Sequence, residues 1–403
     1  MIEIKDKKDC CGCWACADVC PVACISMPED EEGFRYPLVD KEKCIDCHMC
    51  EKVCPIINVE PDKPKDGQRA FLLQHKDKRV LHESASGGAF TAIASYVVRR
   101  GGVVFGAAYT ENLVVTHQYV ERIEDLGIFR NSKYVQSEIQ NAYAQCKNFL
   151  KQGRMVCFSG VPCQLEGLLR YLRKPYDNLI TVDVLCHSIT SPKIFRMYVD
   201  AQKRKYGKDI SNVMFRDKSP YGYKYSQMSI YRGDKQVYKE GVDTDVYLRS
   251  FFSDINVRPS CYDCKFKKQY HLTDFTIWDC FDVYKFSKDL DNDKGVTRLL
   301  ANTEKALKIL SEIKADATIM EIPLGNAIEG VDEMFHSVKM NPQRSRFFNL
   351  AAHRTGGGVF QTFFPITKRT ITEKYFRIVT CKLGIYSIIK RLAKATIKNI
   401  KRV

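Results

Sequence analysis

The sequence predicts two unlike parts: a small α+β module over residues 1–60, then an α/β body with a mixed sheet over residues 69–366. A linker at 61–68 joins them, and a basic tail, 367–403, ends the chain. Three observations carry this reading. Cysteines crowd into two short runs before Pro55. The stretch Val59–Gln68 is rich in Pro and charge, as linkers are. From Arg69 onward, apolar runs of strand length alternate with segments of helical spacing, the texture of an α/β protein.

The two cysteine runs repeat one pattern, C-x2-C-x2-C-x3-C-P. The first is Cys10, Cys13, Cys16, Cys20 and Pro21; the second is Cys44, Cys47, Cys50, Cys54 and Pro55. Two-residue spacings wrap a loop around three corners of an iron–sulfur cube, and the fourth cysteine ligates the other cube. This is the bacterial ferredoxin arrangement. It assigns Cys10, Cys13, Cys16 and Cys54 to one [4Fe–4S] cluster, and Cys44, Cys47, Cys50 and Cys20 to the other. Each Pro ends its loop by fixing the backbone and withholding a donor. Zinc needs four ligands and explains neither the repeated third cysteine nor the C-P ending. Cys11 and Cys24 fall outside the pattern and read as small buried residues near the clusters. Between the runs, Gly33–Asp40 alternates as a strand.

Cysteine is abundant, 18 of 403 residues. The opening MIEIKDKKD does not read as a signal peptide. Thiolate clusters without a leader point to the reducing cytoplasm. No window approaches eighteen uninterrupted apolar residues, so no spanning helix is expected. The net charge is +15, but Thr367–Val403 holds eleven Lys/Arg and one Glu. The tail therefore carries +10 and the other 366 residues only +5, which argues against a nucleic-acid partner.

In the body, Ala70–His75 reads as a strand. Ser84–Gly102 reads as a glycine turn opening a helix, with Phe90, Ile93, Ala94 and Val97 at helical spacing. Strands follow at Val103–Tyr109 and Val114–Glu121. A polar loop, Asn131–Ser137, precedes a helix over Glu138–Lys151. Met155–Ser159 is a buried strand, and GVPCQLEGLLRYL a turn and helix. Leu179–Leu185 is a strand and Pro192–Tyr206 a helix. Val213–Arg216, Gln227–Arg232 and Lys235–Lys239 read as antiparallel strands, the last two joined at Gly233-Asp234. Asp243–Ser253 is helical, Cys261–Cys264 a loop and Asp274–Asp279 a strand. A helix at Glu304–Lys314, a strand at Thr318–Ile322 and a helix at Pro342–Ala352 complete the body.

Four further cysteines stand out. Cys163 follows a strand and turn, and Cys186 ends a strand; α/β proteins place binding residues at such carboxyl ends. Cys261 and Cys264 have the spacing of two corners of one metal centre. Spacing alone leaves zinc, a third cluster or unrelated thiols open. Cys146, Cys157 and Cys381 sit on apolar faces as packing residues, and Cys280 is unassigned. The Ser86-Gly87-Gly88 turn can cradle a phosphate at a helix start, or be no more than a glycine-rich helix start. His187 is a candidate acid or base, or a hydrogen-bonding neighbour of a cluster. Neither a G-x-G-x-x-G after a strand nor a P-loop motif is present.

The stretches SGGAFTAIASYVVRRGGVVFGAAY, NSKYVQS, FSGVPCQLEGL, VLCHSITSPKIF, CYDCKF and DFTIWDCFD carry a resemblance. Over residues 69–282 the body resembles the beta subunit family of coenzyme F(420)-dependent hydrogenases and dehydrogenases, which also contains a ferredoxin-dependent chlorophyll reductase. An N-terminal ferredoxin module is a common fusion there, and some relatives of this architecture are linked with surface-polysaccharide synthesis. The resemblance implies FAD and a third [4Fe–4S] cluster. It implies Cys163, Cys186, Cys261 and Cys264 as that cluster's ligands. It implies Ser86, Gly87, Gly88, Ser132, Lys133 and Tyr134 as flavin contacts. Many relatives carry a Gly-Asp-Phe-Trp-Gly-like ending where this chain has Trp278–Asp282, so the substrate is not transferred with the family.

The expected function is that of a cytoplasmic iron–sulfur flavoprotein oxidoreductase. It passes electrons between a ferredoxin, or another redox protein, and a two-electron substrate: a deazaflavin, a glycan precursor or another small molecule. The alternative is a non-enzymatic subunit wiring a partner enzyme. At the end of the chain, Ile385–Val403 separates on a helical wheel into an apolar face and a basic face. That pattern suits a helix in a membrane interface at the inner face of the membrane, or a terminal helix packed on the body.

Overall fold

In the computed structural model the described residues are 1–64, 66–219, 221–386, 388 and 389. Two short helices, α1 (Ala15–Asp18) and α2 (Met49–Lys52), each carry the third cysteine of a run. Strands β1 (Ile25–Ser26) and β2 (Leu38–Val39) pair antiparallel between them. The strand expected over Gly33–Asp40 shrinks to these last two residues because the chain dips into the body. Gly33, at φ +89°, passes so close to Lys193 that a Cβ would lie 2.2 Å from that residue's own Cβ. Phe34 is then fully buried among Ile194, Phe195, Phe215 and Tyr247.

Polar contacts tie the same face. Glu32 pairs with Arg344 at 2.5 Å and Arg35 with Glu138 at 2.6 Å, and the Asp18 carboxylate accepts from Ala144 N at 3.0 Å. The N-terminal module thus shares a core with the body. Phe34→Ala is expected to cost about 3–5 kcal/mol, the usual penalty for truncating a buried Phe. Thermal melts of the anaerobic protein would check it; an unchanged melting temperature would mean that the docking contributes nothing.

The body begins with β3 (Arg69–His75), α3 (Lys78–Glu83), α4 (Ala89–Val98), β4 (Val103–Tyr109) and β5 (Val115–Val120). Next come α5 (Ala142–Lys151), β6 (Val156–Gly160), α6 (Pro162–Leu172), β7 (Leu179–Val184) and α7 (Pro192–Tyr206). A meander follows, β8 (Asn212–Asp217), β9 (Gln227–Arg232) and β10 (Lys235–Glu240), then α8 (Val246–Phe252). The body continues with β11 (Phe275–Asp279), β12 (Thr297–Ala301), α9 (Glu304–Glu312) and β13 (Ala317–Ile322). Helices α10 (Leu324–Ile328), α11 (Asp332–Phe335), α12 (Arg344–His353), α13 (Gly356–Phe363) and α14 (Lys368–Lys382) close the described chain. No helix among the described residues is long and apolar enough to cross a membrane.

The main sheet runs β13-β3-β12-β11-β7-β6-β4-β5. Strands β4, β6, β7 and β11 are parallel, and β5, β12 and β13 oppose them. Because β12 pairs antiparallel with both β11 and β3, β3 points the same way as β11. Five carboxyl ends therefore open on one edge, where ligands of such sheets collect. The core strands are buried on both faces, which is why VCF in β6 and LITV in β7 read as continuous apolar runs. Local chemistry fixes the helix starts. Ser191 accepts from Ile194 N at 3.3 Å with Pro192 at the first helical position of α7, and Thr303 caps α9 through Ala306 N at 3.2 Å.

Two differences from the sequence reading matter. Strand β12 was not expected, because Thr297 and Arg298 interrupt its apolar run. Arg298 is nevertheless buried; its charge is met by Asp282, and it donates to Ala327 O at 3.2 Å. Helix α5 starts at Ala142 rather than Glu138. Glu138 is bridged to Thr116 beside β5, and Gln140 takes a left-handed φ of 51°, so no helical turn can form earlier. Of the amphipathic segment expected at the chain's end, 390–403 lies outside the described residues.

Candidate iron–sulfur and flavin site

The two cysteine loops are built alike. Gly12 and Trp14 flank Cys13 at φ 71° and 68°; Asp46 and His48 flank Cys47 at 49° and 55°. A left-handed residue on each side of the middle cysteine curls the loop so that its thiols face inward, and helices α1 and α2 start from the second of them. Only one of these four left-handed positions is glycine, so the strain falls on Trp14, Asp46 and His48.

The thiols fall into three groups. Cys20, Cys44, Cys47 and Cys50 line a shallow pocket at the surface, with Cys47 exposed. Cys24 sits on its wall, 3.4 Å from Cys20 Sγ, and Ile2 N donates to Cys50 Sγ at 3.2 Å. Cys10, Cys13, Cys16 and Cys54 form the second group, deeper in. Burial, then the neighbouring thiols of Cys10 and Cys54, push the Cys16 thiol well above its usual range. Burial likewise holds Cys54 up at about 11.

The third group draws on separate segments: Cys163 at the start of α6, Cys186 after β7, and Cys261 and Cys264 around a tight turn, Pro259–Asp263. A hydrogen bond that Cys163 donates to Cys11, then burial and the thiols of Cys186 and Cys264, raise Cys163 well above normal; burial, then Cys186 and Cys264, raise Cys261. The sequence placed Cys11 near the clusters without a role. In the structure it is buried and hydrogen-bonded to both Cys13 and Cys163, so it joins the second group to the third. Among the described residues no three His, Cys, Asp or Glu side chains converge on a single ion.

Two residues that the sequence reading passed over make the junction possible. Gly167 lies in the middle of α6, where a Cβ would come within 2.9 Å of Cys13 Cβ and 3.0 Å of its Sγ. A helical glycine costs about 1 kcal/mol against alanine, and such a glycine signals close approach. Arg258 is 0% exposed. Its guanidinium donates to Cys10 O at 2.8 Å, Gln136 Oε1 at 3.0 Å and Arg35 O at 3.0 Å, and reaches Cys10 Sγ at 3.5 Å. It also lies 4.3 Å from the centroid of the Tyr36 ring. Three residues on, Cys261 N donates to Arg258 O at 2.9 Å. One residue thus holds the second group with its side chain and the third with its backbone.

The expected flavin contacts lie along the same carboxyl edge. The Gly87 amide is taken by Thr297 Oγ1 at 2.9 Å, and a Cβ there would meet Leu73 O at 2.3 Å. That glycine is required by packing on β3 and β12, and its amide is not aimed at a ligand. Gly88, at φ 81°, opens α4; Ser86 O accepts from Lys218 Nζ at 2.7 Å. Across the edge, Lys133 donates to Ile128 O and Arg130 O at 2.9 and 3.2 Å, and burial pushes its ammonium down to about 7. The Tyr134 ring stacks on Phe251 at 4.4 Å. Ser132 lies between Lys133 and Asn131 in this loop.

Arg216 joins the two sides. It donates to Asp279 Oδ2 at 2.9 Å and to the Tyr134 hydroxyl at 3.3 Å, and its amide donates to Asn131 Oδ1 at 3.1 Å. Tyr223 donates to Asp279 Oδ1 at 3.0 Å and stacks on Phe281 at 4.9 Å. Arg216 Nη2, Asn131 Nδ2 and Arg130 Nε are buried donors without a partner among the described residues. Three orphaned donors, two of them cationic, are what an anion such as a flavin's phosphates would satisfy. Cys186 is one residue beyond Leu185, whose amide donates to Ile277 O at 2.9 Å, so the third thiol group adjoins Asp279 across β7 and β11. His187 bonds Asp254 at 2.9 Å, its ring 5.4 Å from that of Phe251.

Paired cysteine runs on a small module, docked at the carboxyl edge of a mixed sheet, define an iron–sulfur electron-transfer protein. Residues 153–326 match the family model for the C terminus of the coenzyme F(420) hydrogenase/dehydrogenase beta subunit, and residues 9–57 match that of the 4Fe-4S dicluster domain. The chain thus holds a segment similar to the C terminus of that beta subunit, with a 4Fe–4S dicluster domain in front of it. No curated protein sequence matches it. Among solved structures it is similar to a chain of the xenon-derivatised F(420)-reducing [NiFe] hydrogenase complex from Methanosarcina barkeri. That match has 16% identity and a TM-score of 0.45, covering 75% of this chain and 94% of the other.

Proposed function

We propose that the protein is an iron–sulfur flavoprotein oxidoreductase whose three thiol groups form one electron path. The observation that carries this is their order: an exposed group at Cys47, a group buried at Cys13, Cys16 and Cys54, and a third group reached through Cys11 that adjoins Asp279. Cys20, Cys44, Cys47 and Cys50 would hold one [4Fe–4S] cluster, Cys10, Cys13, Cys16 and Cys54 a second, and Cys163, Cys186, Cys261 and Cys264 a third. The donor chemistry fits. Crowded, buried thiols stay protonated alone and need a cationic centre to share one volume as thiolates. FAD would lie along the edge between the Ser86–Gly88 turn and Ser132–Tyr134, its phosphates toward Arg130, Asn131 and Arg216. When bound, the clusters carry single electrons and the flavin couples them to two-electron chemistry.

The chain's own residues position these groups. Arg258 places a permanent charge beside Cys10. Arg216 and Asp279 hold Tyr134 and Tyr223 in place, and Phe281 leaves an aromatic face at the rim. A ferredoxin or another redox protein would deliver electrons at the Cys47 side. The substrate would be a deazaflavin, a glycan precursor or another small molecule, and the basic C-terminal segment would bring the protein to the inner face of the membrane.

The test is anaerobic isolation, quantification of iron and flavin, and turnover with an artificial reductant. Bound flavin and turnover by the isolated chain are expected. A stable stoichiometric partner, with no turnover in its absence, would instead make the chain a wiring subunit. Because Phe34 is built into the body's core, point substitutions probe the groups more cleanly than deletion of residues 1–60.

A further inference from the structure

Helix α14 is held to the body by one side. Lys374 pairs with Glu240 at 2.6 Å and Arg377 with Asp243 at 3.3 Å, and Ile378 and Thr380 are buried. The other side is covered by nothing among the described residues. Ile371, Tyr375, Phe376, Val379 and, just past the helix, Leu383 are 42–65% exposed. At about 100° per residue they fall within one arc of about 140°, with Lys368 among them; Lys382 starts from the same arc but turns its ammonium to the Tyr221 ring, 5.5 Å from the centroid. Glu373, the only acidic residue from Thr367 to Val403, lies outside that arc and pairs with Arg369 at 2.8 Å.

Single exposed apolar residues are ordinary, but five on one helical stripe mark a contact surface. Charge decides what covers it. The segment 367–403 carries a net +10, and its last fourteen residues, 390–403, add six Lys/Arg and no acid to the sequence. An apolar and aromatic stripe flanked by cations matches the boundary between acyl chains and anionic headgroups.

We propose that the outward face of α14 is a docking surface for anionic lipid. The inference rests on the membrane localisation proposed above and moves the contact forward, from the tail after Gly384 to the stripe Ile371–Leu383. It is independent of the cluster assignments. The substituted residues are exposed, so the variant keeps its fold.

The experiment is flotation of full-length protein with phosphatidylcholine vesicles, with and without phosphatidylglycerol, at low and high salt. It compares the native chain, the triple variant Tyr375→Ser/Val379→Ser/Leu383→Ser, and a truncation after Gly384. The native chain should float only with the anionic vesicles and less at high salt. The triple variant should float at least tenfold less with its melting temperature and iron content unchanged, and the truncation should still float in part. If the triple variant floats like the native chain while the truncation does not, the tail makes the contact and the inference for α14 is overturned. Flotation by none of the three overturns both the inference and the localisation. A concentration-dependent dimer that the triple variant breaks, without vesicle binding, gives the face to a second copy and likewise overturns it.

Discussion

Replacing Cys261 with serine should remove about four of about twelve iron atoms per chain, one cubane's worth, and leave the signals of the two N-terminal clusters in place. Cys261 faces Cys186 and Cys264 within the third thiol group, and its backbone is pinned by the bond from its amide to Arg258 O. A serine hydroxyl fits the same space but does not ionise near neutral pH, so one corner loses its ligand. Five thiols crowd this junction, because Cys11 bonds Cys163. The double variant Cys11→Ala/Cys261→Ser therefore closes the route by which a neighbouring thiol could fill the vacant corner. Iron and acid-labile sulfide, measured after anaerobic purification, check the result. Unchanged iron in the double variant would remove the third group from the electron path.

Arg258→Gln should lower the reduction potential of the inner N-terminal cluster by about 59 mV or more, a tenfold shift in a one-electron equilibrium. The sign follows from charge. Reduction adds an electron to an already anionic centre, and a buried guanidinium 3.5 Å from Cys10 Sγ favours the more negative state. Glutamine keeps part of the hydrogen bonding and loses the charge. Lysine at this position keeps the charge but not the fork, so Arg258→Lys should recover most of the potential. Both variants also lose stability, since each buried acceptor left unpaired costs about 1–3 kcal/mol. A redox titration followed by electron paramagnetic resonance separates the effects. The outer cluster at Cys47 should keep its potential, and an unmoved inner cluster in Arg258→Gln would show that the guanidinium is structural only.

Much of this arrangement was legible in the chain. The doubled cysteine run announces a 4Fe–4S dicluster domain by spacing alone, and the meander β8–β10 announces itself through Gly233-Asp234. What stayed hidden was hidden for physical reasons. β12 lies between β3 and β11 in the sheet, yet a buried Arg298 breaks its apolar pattern, and only Asp282, brought close by the fold, explains the charge. Phe34 reads as one apolar residue in an alternating stretch, because its pocket comes from helices and strands more than 150 residues away. The Ser86-Gly87-Gly88 turn invites a phosphate, but the close approach of Leu73 and Thr297 accounts for Gly87 without one. Arg216 and Asp279 are 63 residues apart in the chain, and nothing local marks either as a partner of the Ser132–Tyr134 loop. Cys11 looked incidental until α6 was laid beside it, and Gly167 is the residue that lets α6 come so near.

The central claim, that three thiol groups lead from the surface at Cys47 to a flavin beside Asp279, is tested most directly by cofactor analysis of the full-length protein isolated without oxygen. The account predicts about twelve iron atoms, an equal amount of acid-labile sulfide and one flavin per chain. Stoichiometric zinc in place of iron, or about eight iron atoms with no flavin, would contradict it.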